Sequence, residues 1–374
     1  MTQLLSDGDV IERIFHHIDH KTTDIGETIW REPTENYHST ERFEAEIELL
    51  RRLPAPFCPS AALPENGSYV ARTAAGTPLL VVRGDHGVVR AFRNACRHRG
   101  MAVAKDSGCA RAFVCPYHSW TYGLDGRLKH VPGADGIPGL ETEQHGLIPV
   151  TAEERGGLVL VTQDDPVSNG ALDKLPDIFD PEQQVFDATT FNDAANWKLL
   201  GETSMEGYHI KGLHNRTFFP YGYDNLNVIE TFGANSRIIF PFRRVEKLRD
   251  IPPEKRSLNG MVTDVIQLFP NTHVSVLSSH ALMIILEPIS PSETQWVIYR
   301  LSSRGRDGKV AELEVAKRDA EFVKDTGLDE DREAARSIQA GLAGNANSHF
   351  TFGKYEPAIV HFHTNMDAHL AKLA

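Results

Sequence analysis

Cys96-Arg97-His98-Arg99-Gly100 is followed by Cys115-Pro116-Tyr117-His118-Ser119-Trp120. Each half supplies one thiolate and one imidazole, two residues apart in the first and three in the second. Both halves interrupt short apolar runs with tight-turn chemistry, so two knuckle-like loops can aim their side chains at one metal centre. The runs around them, at 69–73, 78–83, 88–94, 113–115, 121–122 and 158–162, are β-rich, with Gly84-Asp85-His86-Gly87 as a turn. They predict a small all-β domain over residues 55–165.

The alternating order Cys, His, Cys, His carries chemical information. In a two-iron two-sulfur centre of Rieske type, one iron keeps two cysteines and the other takes two histidines. Two parallel loops, each giving one ligand to each iron, satisfy that division: Cys96 and Cys115 on the first iron, His98 and His118 on the second. A structural zinc site with the same four residues is the alternative, but zinc fingers group their cysteines and their histidines pairwise, unlike this order. Gly100 and the Gly108-Cys109 region between the loops allow close packing. Cys58 and Cys109 read as a buried small hydrophobe and a loop thiol.

Before this domain, residues 1–54 read as an amphipathic helical lead, with Val10, Ile11, Ile14 and Phe15 at helical spacing. The prolines after Leu53 end it. A proline- and aspartate-rich boundary at 164–180 opens a second domain, 166–374. There a helix is expected from Asn196-Trp197-Lys198 through Glu206 and His209. Strands follow at 226–230, 237–242, 274–286 and 296–302, then helices at 310–324 and 329–341. Strands followed by helices predict an α+β domain, an antiparallel sheet with covering helices.

The second dense spot lies in that domain. Glu206 and His209, three apart, share a face of the expected helix. His214 lies five beyond His209, which on an unbroken helix points about 140° away, so the helix must bend, with Gly212 well placed for it. An oxygen-activating iron typically takes two histidines and one carboxylate with positions left open. Asp329, Glu330, Asp331 and Glu333 are all candidates for the carboxylate, although acids are favoured at a helix N-terminus in any case.

At this point the chain resembles the catalytic α subunits of Rieske non-haem iron oxygenases, the ring-hydroxylating oxygenase and demethylase family. The resemblance rests on the two Cys/His loops, on Asn196-Trp197-Lys198 with Glu206-Gly207-Tyr208-His209 and His214, and on Glu330-Asp331 with Gln339-Ala340-Gly341-Leu342 and the 356–363 stretch. It implies a helix-grip fold for the second domain. It also implies a [2Fe-2S] cluster on Cys96, His98, Cys115 and His118, and a mononuclear Fe(II) on His209, His214 and Asp331. Glu206 takes the place of the family's acid that bridges a cluster-liganding histidine of one subunit to an iron-liganding histidine of the next. The resemblance further implies a head-to-tail homotrimer, with room for a separate β subunit. NAD(P)H then serves only indirectly, through a separate reductase, with or without a ferredoxin. Thr203 stands where many relatives have Asn, and Gly207 follows the bridging acid.

The implied reaction uses O2 and delivered electrons to hydroxylate or dihydroxylate a small aromatic or alicyclic substrate. An O- or N-demethylase is the alternative within the family, and a zinc-stabilised small-molecule binding protein the alternative outside it. Phe218, Phe219, Tyr221, Tyr223, Phe240 and Phe242 are candidates for the pocket. His280, Arg243 and Arg244 are candidates to meet a substrate carboxylate, with Arg237 competing. Across 374 residues, 39 Lys and Arg face 51 Asp and Glu, and a net charge of −12 disfavours nucleic acid. Against that acidic background, Arg93, Arg97, Arg99, Lys105 and Arg111 cluster near the loops and suit an acidic redox partner. Apolar stretches are too short to span a bilayer, and the N-terminus lacks signal-peptide character, so a cytoplasmic location is expected.

Overall fold

The computed structural model describes residues 4–304, 309–324 and 328–373. They form two compact units, one of residues 50–166 and 176–181, the other of the first 49 residues with 167–175 and 182–374. The chain therefore crosses between units three times through the proline-rich boundary. Among the described residues no helix is long and apolar enough to cross a membrane.

In chain order the elements are α1 (Asp7–His20), β1 (Trp30–Pro33), α2 (Thr40–Arg51), β2 (Ala55–Pro59), β3 (Ser68–Ala74), β4 (Thr77–Arg83), β5 (Val89–Arg93), β6 (Asp106–Cys109), β7 (Phe113–Val114), β8 (Thr121–Tyr122), β9 (Leu128–His130), β10 (Pro149–Arg155) and β11 (Leu158–Thr162). There follow β12 (Val185–Asp193), α3 (Trp197–Glu202), α4 (Ile210–Leu213), β13 (Val228–Phe232), β14 (Asn235–Pro241), β15 (Val262–Leu268), β16 (Thr272–Val276), β17 (His280–Ser290), β18 (Glu293–Ser302), α5 (Leu313–Lys324), α6 (Leu328–Gly341), β19 (His349–Phe352) and α7 (Pro357–Leu370).

The smaller unit holds a seven-stranded antiparallel sheet in the order β2-β11-β10-β5-β4-β3-β6 and a three-stranded sheet β7-β8-β9. Its core gathers Leu80, Val82 and Phe92 with Phe113, Trp120 and Tyr122, so the residues flanking both Cys/His loops are themselves core. Cys58 is fully buried, and burial pushes its thiol up to about 12, the inert state expected of it. Cys109 is exposed on the edge strand β6.

The larger unit is built on a second antiparallel sheet, β12-β18-β17-β16-β15-β14-β13. Helix α5 packs on β17 and β18, and α7 packs on β13 and β14, which is the expected α+β arrangement. Helix α1 begins at Ser6, whose Oγ accepts the Asp9 N–H, and ends at left-handed Lys21. It buries Val10, Ile11, Ile14 and Phe15 against Val228, Ile239, Leu248 and Met261. Several expectations need correcting. The run 274–286 is two strands, β16 and β17, turning at Leu277–Ser279. Strands β12 and β15 went unread, because β12 is a half-exposed edge strand whose Thr- and Asp-rich sequence lacks an apolar alternation.

Asn196-Trp197-Lys198 starts α3 for readable reasons. Asn196 Oδ1 accepts the Lys198 N–H, its backbone N–H donates to Gln339 Oε1 of α6, and its Nδ2 donates to the Pro291 carbonyl. Trp197 Nε1 donates to Glu46 Oε2, and the fully buried Lys198 ammonium sits 2.7 and 2.8 Å from the two Glu46 oxygens. Lys198→Met would leave Glu46 buried with only Arg42 as a charge partner. We expect a loss of about 3 kcal/mol, toward the low end for a broken buried pair. That is a fall in Tm of roughly 6–12 °C by calorimetry, with much of it recovered in Lys198→Met/Glu46→Leu.

A second buried network ties the N-terminal lead and α7 to the end of α3. Tyr37 Oη donates to Glu202 Oε1 at 2.7 Å, and His363 Nε2 lies 2.9 Å from the same oxygen. His363 Nδ1 stands 3.4 Å from Glu32 Oε2. Burial lowers the His363 pKa, but its bonds and charge interactions with Glu202 and Glu32 prevail and push it up to about 9. Burial raises that of Glu32, but His363, Asn36 and Trp30 bring it down to about 2. His363 thus contributes stability fully below its unfolded value of 6.5, and loses it as pH rises through about 9. Glu32 contributes above 4.5 and fails as pH falls through about 2. Chemical denaturation across pH should show a plateau between 4.5 and 6.5 and a decline from pH 6.5 to about 9. His363→Gln should flatten that alkaline decline.

Candidate metal centres and substrate cavity

The two Cys/His loops are near copies of each other. Gly100 N–H donates to the Cys96 carbonyl at 2.8 Å, and Ser119 N–H to the Cys115 carbonyl at 2.9 Å. Cys96 N–H bonds Met101 O and Cys115 N–H bonds Trp120 O, each at 2.8 Å. The fifth residue of each loop is left-handed, Gly100 at φ 78° and Ser119 at φ 59°. Both cysteines are buried, whereas His98 and His118 are exposed with their Nδ1 atoms 3.1 Å apart. Trp120 stacks on His98, with ring centroids 5.0 Å apart and planes 11° apart, and Tyr117 lies on His118. Tyr122 Oη lies 3.2 Å from Cys96 Sγ and accepts the Arg97 N–H.

This donor set fits a two-iron cluster better than zinc. One tetrahedral zinc needs all four donor atoms around a single point. Among the described residues, the group with three or more such atoms within 4.8 Å is His209, His214 and Asp331, not these four. A pair of buried thiols and a pair of converging exposed imidazoles is the division that two irons require. Of the nearby cations, Arg93 is engaged by Asp164, and Arg99 donates to Tyr117 Oη.

In the larger unit the expected long helix does not exist. Helix α3 stops at Glu202, and α4 is a single turn with His209 and His214 at its two ends. The five-residue spacing therefore needs no bend at Gly212, which has open space around it. Glu206 lies in the turn between the helices rather than on a shared helix face. Its Oε2 accepts the N–H groups of Tyr208 and His209, and its Oε1 pairs with His209 Nδ1. At Gly207 a Cβ would come within 2.4 Å of Asn227 Oδ1, so a larger residue there would have to displace the Asn227 amide.

Asp331 Oδ1 lies 2.9 Å from His214 Nε2 and 3.5 Å from His209 Nε2. Of the four candidate acids, Asp331 alone meets both rings. Glu330 instead holds the far side of His214, with Oε2 2.7 Å from Nδ1 and also accepting from Thr217 Oγ1. Asp329 pairs with Arg332. Arg332 and Arg336 lock α6 in place through buried Asp193. Each histidine thus gives one nitrogen to an orienting carboxylate and turns Nε2 toward Asp331, the arrangement of metal-binding histidines.

The electrostatics agree. Burial lowers the His209 pKa, but Asp331 and Glu206 prevail and push it up to about 10. His214 is raised likewise against burial, and Asp331 is held below the usual carboxylate range by the two histidines despite its burial. A centre that stabilises positive charge this strongly suits a divalent cation.

Beside the triad opens a cavity of about 210 Å³ along one face of the larger sheet. Of the aromatic candidates, Phe218, Tyr223, Phe240 and Phe242 line it; Phe219 and Tyr221 do not. Trp296 joins them, unread in sequence for this role. Thr203 lines the cavity with its hydroxyl turned back to Leu200 O. Arg237 is spent on Asp264 and Glu230, so it does not compete for a ligand. Arg243 and Arg244 lie over the rings of Tyr223 and Phe242 without lining the cavity themselves. His273 was missed: it is buried in the cavity wall, bonded to Ser204 Oγ at 2.8 Å, and burial takes its pKa down to about 4, so it is neutral.

The family profile described as the ring hydroxylating alpha subunit (catalytic domain) matches residues 182–372, and that of the Rieske [2Fe-2S] domain matches 54–141. The glycine betaine monooxygenase oxygenase subunit of Pseudomonas aeruginosa is 27% identical over 354 residues, covering 80% of this chain and 79% of that protein. A quaternary ammonium Rieske monooxygenase solved with L-carnitine superposes with TM-score 0.75 at 21% identity, over 92% of this chain and 96% of that one. Naphthalene 1,2-dioxygenase from Rhodococcus sp., bound to indole, gives 0.73 at 20% identity, over 98% and 99%. At such identities these structures speak for the fold, and they speak for it alike. With its catalytic-domain match spanning just over half its length and a Rieske domain preceding it, the chain belongs to the Rieske non-haem iron oxygenases, as a ring-hydroxylating-type catalytic α subunit.

Proposed function

We propose that this oxygenase hydroxylates a carbon bonded to the nitrogen of a small quaternary ammonium compound, an N-demethylase-type monooxygenation. The observation that carries it is the cavity beside the triad, walled by Phe218, Tyr223, Phe240, Phe242 and Trp296. Aromatic walls attract onium groups through cation–π interaction, worth about 2 kcal/mol or more when desolvated. The glycine betaine monooxygenase relative, aligned over four fifths of both chains, supports the same substrate class over the aromatic one.

In this reading Cys96, Cys115, His98 and His118 hold the [2Fe-2S] cluster, and His209, His214 and Asp331 hold the Fe(II). When bound, these groups supply one-electron delivery and dioxygen activation. The chain's own residues do the positioning. Glu330 and Glu206 fix the two imidazoles through Nδ1, Tyr122 steadies the Cys96 thiolate, and the apolar wall excludes water from the reacting carbon. Oxygenation of an N-methyl group consumes O2, two electrons and two protons and yields water and an N–CH2–OH group. That group collapses by C–N cleavage and loss of the hydroxyl proton to an aldehyde and the tertiary amine. A separate reductase or ferredoxin supplies the electrons. Glu206 is the acid proposed to span from His209 to a cluster histidine of a neighbouring copy in a head-to-tail trimer. Exposed Tyr208 and Tyr355 beside it suit such a contact.

The test is turnover of the metal-loaded protein with a surrogate reductase and NADH. Glycine betaine or a longer trimethylammonium acid should give aldehyde in step with O2 consumed. A cis-diol from an aromatic hydrocarbon, with every quaternary ammonium compound untouched, would overturn the reading.

A further inference from the structure

We infer that His280 and Arg300 form an anion-binding end of this cavity that receives the carboxylate of a zwitterionic substrate. The inference rests on the quaternary ammonium reading and narrows it. Both residues line the cavity. Strands β17 and β18 pair His280 with Ser302 and Leu282 with Arg300, so the two side chains stand on one face as diagonal neighbours.

Each is held from behind by a carboxylate. His280 is 1% exposed, and its Nδ1 lies 2.8 Å from Asp319 Oδ2. The same oxygen accepts the Ser279 N–H at 2.9 Å. Burial raises the Asp319 pKa, but these bonds hold it below the usual carboxylate range. The ionised Asp319 makes Nδ1 the donor and fixes the ring. Among the described residues no hydrogen bond engages Nε2. Arg300 spends Nη1 on Asp187 and on Thr189 Oγ1, and no bond to its Nη2 is made among the described residues. The wall between them is apolar, with Leu277, Leu282 and Ala320.

With Nδ1–H given to Asp319, Nε2 is the His280 atom left to meet a ligand, and Arg300 Nη2 is the charged donor beside it. Two polar groups left unmet at an apolar wall are costly, and a carboxyl group answers both. The remaining acids of the cavity, Glu206 and Asp331, are committed to the metal centre, so the aromatic wall takes the onium group and this end takes the carboxylate. A betaine fits both ends.

The measurement is calorimetric titration of the metal-loaded, oxidised protein with 4-trimethylammoniobutanoate, choline, tetramethylammonium and butanoate. The wild type should bind the zwitterion at least tenfold more tightly than choline or tetramethylammonium. Arg300→Gln and His280→Asn should each weaken the zwitterion about tenfold and leave tetramethylammonium unchanged. Arg300, half-buried, keeps the test open if the His280 variant does not fold. Equal loss for both ligands, no loss for either, or failure of any carboxylate to bind overturns the proposal. Butanoate binding that depends on both residues, with no onium binding, would uphold the anion end and remove the quaternary ammonium reading. Onium binding indifferent to a carboxylate would do the reverse.

Discussion

Asp331→Ala should purify with about two irons per chain instead of three and with its cluster spectrum intact. Its oxygenation rate should fall by more than ~100-fold, since loss of an outer partner of a ligand alone costs ~10–100-fold. The reason is geometric. Among the described residues, Asp331 Oδ1 is the one carboxylate oxygen within 3.5 Å of both His209 Nε2 and His214 Nε2. Glu330 does not replace it, because its carboxylate is committed to the opposite nitrogen of His214 and to Thr217. Glu330→Gln should therefore act differently, weakening iron retention about tenfold without abolishing it. Iron assay and EPR on the same samples separate the two. Full iron in Asp331→Ala would mean that the third ligand lies elsewhere.

Glu206→Gln should keep all three irons and lose turnover, by about 100-fold. The amide still accepts from the turn's N–H groups but is neutral, and its NH2 faces whichever imidazole N–H it replaces oxygen for. One of the two imidazole bonds proposed for the carboxylate, from His209 and from the neighbouring copy's cluster histidine, is then lost. Reoxidation of the reduced cluster, followed by visible absorbance in a single turnover with substrate and O2, should slow by the same factor. Glu206→Asp keeps charge and acceptor number and should recover part of the rate. A Gln variant that reoxidises at the wild-type rate would remove Glu206 from the coupling and leave it a turn-capping residue.

The Cys/His loops were legible because their chemistry is local. The proposed ligands, the left-handed positions and the closing hydrogen bonds all lie within five residues of Cys96 or Cys115. The iron triad was half legible. An ideal-helix argument set His209 and His214 apart, whereas a one-turn helix brings their rings to 5.1 Å between centroids. The acidic run at 329–333 reads as a helix N-terminus on local grounds, and only its packing through Asp193 and Gln339 decides which acid faces the histidines. His273 and the Glu32–His363–Glu202 network join residues far apart in the chain, so no spacing announces them. The same holds for substrate: the fold matches aromatic and quaternary ammonium oxygenases alike, and the distinction falls to cavity side chains on five strands.

The most direct test of the two-centre account is EPR of anaerobically purified, dithionite-reduced protein, with iron, zinc and acid-labile sulfide assayed on the same sample. The account predicts a Rieske-type signal with about three irons and two sulfides per chain. Zinc without sulfide, in protein kept from oxygen throughout, would contradict it.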